Sequence, residues 1–192
     1  TATFGNPILE SYAWQDGRGR WTSLVDRGDK AVEAGALYVP IEGSPLFYAQ
    51  LVRALLLRTG QTAPSVDAGK LSLERLAELE LASSTGPVPV VLYALIGVDT
   101  TPWYFWLREG GDRAFFAQVS PWMEVIAEGH EAQAALLLTR QLQAQTERLQ
   151  AMQRRLARPL PGLTVIRNVR WFDSRAAMMR GIRVHVMIAL VT

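Results

Sequence analysis

Val88 to Gly97 reads Val-Pro-Val-Val-Leu-Tyr-Ala-Leu-Ile-Gly, an apolar and largely β-branched run. A strand with no polar face has no side to give to water. The run therefore predicts a central strand covered on both faces, and every other element must be arranged around it. Even extended to Val98 it falls short of the about 20 residues that a bilayer-spanning helix needs.

The segments that follow read as its neighbours. Trp103 to Leu107 and Arg113 to Val119 flank Glu109-Gly110-Gly111-Asp112, a hairpin signal. Trp103-Tyr104-Phe105-Trp106 is dense in aromatics, and alternation sends neighbours to opposite faces of a strand. The plain reading is a sheet packed on both faces; the functional one is an aromatic contact platform for protein or bases. Earlier in the chain, strand-like stretches at 8–14 and 20–25 flank Asp16-Gly17-Arg18-Gly19, a second hairpin. Ala36 to Pro40 reads as a further short strand.

Helix signals are of three kinds. Ser44 is placed to cap, Pro45 stands at the first helical position, and Gly60 lies past the end. Between them Leu46, Phe47, Ala49, Leu51, Val52, Leu55 and Leu56 form a wide apolar face. Ser72 opens an expected second helix, Leu73 to Ala82, with Leu76, Leu79 and Ala82 inward and Glu74, Glu78 and Glu80 outward. Ser120-Pro121 opens an expected short helix to about Glu128. A long helix is predicted from His130 to Arg158, about 40 Å at 1.5 Å per residue. Ala135, Leu138, Leu142, Leu149, Met152 and Leu156 recur at three and four on it, with Gln145 filling the seam, the spacing of a pairing surface. Pro159 and Pro161-Gly162 stop it. Two strands close the chain, Leu163 to Phe172 and the alternating Ile182 to Val191, with Met178 and Met179 expected in the loop between them. Strands and helices mixed without a strict β-α-β rhythm predict one α+β domain: a mostly antiparallel sheet, helices packed on one face, one long basic helix and a C-terminal β-hairpin.

Charge is divided along the chain. Residues 1–130 carry 10 Lys+Arg against 15 Asp+Glu, whereas residues 131–192 carry 10 Arg against 3 acids. The formal charge of +2 thus hides an acidic body and a basic C-terminal third. Apart from Lys30 and Lys70 the basic residues are all Arg, which suits bidentate contacts with carboxylate or phosphate.

Few chemistries leave a mark. The chain has no Cys, which excludes disulfides, Cys-ligated zinc and thiol catalysis. His130 and His185 stand in no metal-ligand spacing, so no metal or cofactor is expected. No Gly-x-Ser-x-Gly elbow, phosphate-binding P-loop or dinucleotide fingerprint occurs. Gly17-Arg18-Gly19-Arg20 reads as a turn rather than a phosphate cradle. The first residues, Thr-Ala-Thr-Phe-Gly, have neither the basic stretch nor the apolar segment of a secretory signal, and the expectation is a cytoplasmic protein without membrane contact.

What remains is a surface. The expected partner-binding residues are Arg140, Arg148, Arg154, Arg155 and Arg158 on the long helix, with Arg167, Arg170, Met178, Met179 and Arg183 beyond it. The expected function is that of a non-enzymatic structural or assembly subunit, a homo- or hetero-oligomer with other protein subunits. The kind is that of a bacteriophage tail, neck or connector protein, or a baseplate-like part of a contractile machine. The alternative is a nucleic-acid-binding accessory or regulatory protein whose arginines meet phosphate. A small hydrolase or transferase with a site assembled only in three dimensions is the third reading.

Overall fold

The computed structural model describes residues 2–3, 6–7, 10–41, 43–66, 69–83, 86–158, 164–166, 169–182 and 186–188. They group into two compact units, Thr1–Leu149 and Gln150–Thr192.

The first unit begins with a two-residue pairing of β1 (Ala2–Thr3) with β2 (Asn6–Pro7). A meander of β3 (Ser11–Gln15), β4 (Arg18–Thr22) and β5 (Arg27–Ala31) follows. The expected hairpin is present. Asp16 and Gly17 have φ of 51° and 76°, the left-handed pair that a two-residue turn between twisted strands requires. Helix α1 (Pro45–Leu56) is built as its caps foretell, with the Ser44 hydroxyl accepting the Phe47 N–H at 3.2 Å and proline at its start. Its end comes at Leu57 rather than at Gly60, which turns with φ 71° in the short 3-10 segment Thr59–Gln61. Of the strand expected at Ala36 to Pro40, only a bridge between Leu37 and Ser65 forms.

The principal sheet is antiparallel in the order β11-β10-β9-β8-β7-β6. Its members are β6 (Thr62–Pro64), β7 (Lys70–Leu81), β8 (Val88–Ile96), β9 (Trp103–Arg108), β10 (Phe115–Val119) and β11 (Glu124–Ile126). The apolar run is the interior strand β8, as expected. Val91, Tyr93 and Leu95 join Leu51, Val52 and Leu55 of α1 in one core, while Val88, Val90 and Leu92 join Leu137 and Ala144 of α2 (Ala134–Leu156) in the other. The two helices therefore cover opposite faces of the sheet, which corrects the expectation of helices on one face. The α+β class, the antiparallel pairing and the long helix stand as expected.

Two expected helices are strands. Leu73 to Ala82 belongs to β7, which pairs with β8 along its length. Leu71 and Leu73 enter the α1 core; a register shift between Arg75 and Ala77 then reverses the alternation, so Ala77 and Leu81 enter the α2 core. That bulge puts apolar residues at mixed spacings, which mimics helical periodicity. Residues 121–128 hold the short edge strand β11. Before it, the Ser120 hydroxyl accepts the Met123 N–H at 3.0 Å and closes a turn where a helix start was expected.

The second unit begins within α2 and holds two antiparallel strand pairs. β12 (Thr164–Ile166) pairs with β15 (Val186–Ile188), and β13 (Val169–Asp173) with β14 (Met178–Ile182). The turn occupies residues 174–177, so Met178 and Met179 lie on a strand and not in the expected loop. No helix among the described residues is long and apolar enough to cross a membrane.

Candidate functional site

The expected partner-binding residues fall into three groups. Arg148 is engaged inside the first unit: its guanidinium donates to the Glu74 carboxylate at 2.7 Å, and its side chain is only 18% exposed. Glu74 precedes the β7 bulge and so faces α2, whereas a helix would have turned it to water. Arg148 thus anchors α2 on the sheet. Arg140 is half-buried and lies 3.8 Å from Glu147 of its own helix.

Arg154 and Arg155 in the last turn of α2, Arg158 just beyond it, and Arg170 on β13 form the second group. All four are exposed, and none has an ion-pair partner among the described residues. Cations in a last turn are favoured by the helix dipole, so two of these positions also serve the helix itself. Met178 and Met179 are exposed as well. The third group, Arg167 and Arg183, lies outside the described residues, as does His185.

Within the second unit the β13–β14 register places Phe172 opposite Met179, and Arg170 opposite Gly181. Directly opposed residues share a face, and so do residues two apart on one strand. One face of the ribbon thus carries Arg170, Phe172 and Met179 together. Phe172 is 58% exposed, so this is an apolar patch beside a cation with no cover from the described residues.

The pairing seam read from the sequence is not the stripe of α2 that the sheet buries. The residues of α2 buried against the sheet are Ala134, Leu137, Gln141 and Ala144. Leu142, Leu149 and Leu156 of the seam are exposed instead, the last at 63%. The helix carries one stripe for the sheet and a second stripe, one residue further round, of which Leu138 packs against the core and Leu142, Leu149 and Leu156 do not. The 3.6 and 3.5 periods differ too little over six turns for sequence spacing to tell these stripes apart.

A feature that sequence reasoning did not assemble is a cleft of about 580 Å³ in the first unit. It is lined from the start of β9 by Trp103 and Tyr104, from the turn after β10 by Trp122, from α1 by Tyr48, and from α2 by Leu142 and Gln145. The Tyr48 hydroxyl donates to the Pro40 carbonyl at 2.6 Å, and its ring meets Trp103 edge-on at 4.5 Å. Burial raises the Tyr48 and Tyr104 phenols above their ordinary pKa. The aromatic quartet 103–106 resolves accordingly: Phe105 and Trp106 are buried in the two cores, while Trp103 and Tyr104 are half-buried at the cleft. The one sequence signal for this cleft was that quartet; the contributions of α1, α2 and Trp122 come from distant positions.

No family model, curated protein or solved structure matches the chain.

Among the described residues no group of three or more His, Asp or Glu side chains converges as a metal site would. His130 instead packs against Phe116, ring to ring at 4.9 Å.

Proposed function

We propose that the protein is a non-enzymatic structural subunit that docks into a larger multi-subunit particle through its C-terminal unit. The observation that carries this reading is the ribbon face of Arg170, Phe172 and Met179, whose apolar members are exposed on neighbouring strands. Large apolar side chains beside an arginine are the composition of interface anchors, and methionine adapts to the shape it meets. Arg154, Arg155 and Arg158, which have no ion-pair partner among the described residues, add positive charge on the same unit, and residues 1–130 carry the opposite net charge. Head-to-tail docking of the basic unit of one copy on the acidic body of the next is the simplest use of that polarity. The class of particle proposed is the bacteriophage tail, neck or connector, or a contractile-machine baseplate.

The test is light scattering from about 50 to 500 mM salt, a range that shortens the Debye length several-fold. The wild type should self-associate at low salt or co-assemble with subunits of its particle. Phe172→Ser with Met179→Ser, and separately Arg154→Ala with Arg155→Ala and Arg158→Ala, should abolish this with the circular dichroism spectrum unchanged. Normal assembly of both variants would overturn the reading. A mass shift seen only with added oligonucleotide would favour nucleic-acid binding by the same arginines.

A further inference from the structure

We propose that the aromatic cleft of the first unit is a binding site for an uncharged saccharide. This inference does not rest on the assembly reading.

The size comes first. At about 580 Å³ the cleft falls within the ~300–1,000 Å³ of small-ligand sites.

The chemistry of the walls narrows the ligand. None of the lining residues is Asp, Glu, Lys, Arg or His. A phosphate or carboxylate entering here would leave water without a cation to meet it, which excludes nucleotides and acidic metabolites. The polar groups that do line the cleft are neutral; the Tyr48 and Ser120 hydroxyls and the Gln141 N–H are already engaged, and three others are unspent. The Gln118 and Gln145 amides and the Tyr104 hydroxyl have no hydrogen-bond partner among the described residues, and all three side chains are half-buried. Each amide offers donors and an acceptor together. An acyl chain would satisfy neither, and a proline-rich peptide brings carbonyls but few N–H groups, so the amide oxygens would stay unpaired. Sugar hydroxyls donate and accept at once, and so complement both halves of an amide.

The aromatic residues supply the remainder. Trp122 is 82% exposed, an unusual state for so large an apolar ring. Its backbone is set by the turn, where the Ser120 hydroxyl accepts from the Trp122 and Met123 N–H groups and the Ser120 N–H donates to the Met123 carbonyl at 2.8 Å. An exposed indole carried on a hydrogen-bonded turn at the mouth of a neutral cleft is a stacking surface, and its fixed backbone lowers the ordering cost of binding. The apolar C–H face of a pyranose lies on such a ring while its rim of hydroxyls reaches the amides.

The experiment titrates the full chain with maltose, cellobiose, lactose and diacetylchitobiose, reading tryptophan emission and the heat of binding. Glucuronic acid and a proline-rich decapeptide serve as controls. At least one neutral disaccharide should bind saturably, and glucuronic acid should bind more weakly or not at all. Trp122→Ala should weaken binding at least about tenfold, which is about 1.4 kcal/mol. Gln145→Ala should weaken it several-fold. Trp122 and Gln145 lie outside both cores, so melting temperatures should be unchanged, which separates lost binding from lost fold. Absence of response to all four sugars overturns the proposal. So does sugar binding that survives Trp122→Ala, and so does Trp122-dependent binding of the decapeptide alone.

Discussion

Helices α1 and α2 sit on opposite faces of one sheet and are used differently. The shorter α1 buries Tyr48, Ala49, Leu51, Val52 and Leu55, through to its last turn, and leaves only Leu46 and Phe47 of its apolar first turn exposed. The longer α2 buries only Ala134, Leu137, Gln141 and Ala144, all in its first half. Beyond Arg148 its apolar side chains are mostly left to solvent. A helix packed over most of its length chiefly stabilises the fold. One that is packed over half its length is anchored by that half and presents the other.

The contrast can be broken most sharply at the two buried leucines, Leu55 and Leu137, both fully buried. Leu55→Ala and Leu137→Ala should each cost about 2–5 kcal/mol, the range for core leucines. Denaturant unfolding checks this, and a small cost at Leu137 would show that α2 is only loosely seated.

Next comes the anchor. Arg148→Ala removes a partly buried partner of Glu74 and should cost about 1–3 kcal/mol, because a half-buried carboxylate loses its charged donor. The expectation includes loss of helicity toward the end of α2, read by hydrogen exchange.

The cap of α1 is a smaller term. Ser44→Ala should cost about 0.5–2 kcal/mol, as other N-cap hydroxyls do. Alkaline titration compares the helices in another way. Burial raises the Tyr48 phenol of α1 and the Tyr104 phenol beneath α2, so the folded state prefers both protonated. An acid with a raised folded pKa holds its protons longer in the folded state. Its contribution is full below the ordinary tyrosine pKa of about 10 and is lost as pH rises beyond it. The melting temperature should fall above that pH, and less steeply in Tyr48→Phe.

The smallest effect is expected where α2 is uncovered. Leu156→Ser should change stability by less than about 0.5 kcal/mol, as exposed substitutions do. A large destabilisation would mean that this half of α2 is covered after all.

How far the sequence could be read depends on whether a signal was local. The Asp16-Gly17 turn and the Ser44-Pro45 helix start are decided by a few adjacent residues, and both stand where expected. Leu73 to Ala82 was misread because Leu, Glu, Arg and Ala favour helices. That intrinsic preference, below about 1 kcal/mol per residue, was outweighed by a full ladder with β8 and burial on two faces. The same error hid the Glu74–Arg148 pair, since a glutamate assigned to a solvated helix has no reason to meet residue 148. The cleft was legible only as the aromatic quartet, because its other walls come from residues such as Tyr48, Trp122 and Gln145.

From its own order of residues the chain determined its class, its interior strand, its capped helix and its division into acidic and basic parts. Each of these follows from composition or from neighbours within a few positions. Tertiary structure alone decided which face each helix covers, that residues 70–81 are a strand, which stripe of α2 is used by the sheet, and that Arg148 is an anchor. Those outcomes turn on contacts between residues tens of positions apart. Their free energy exists only once the sheet has formed, and it exceeds the weak local preferences that sequence periodicity reports.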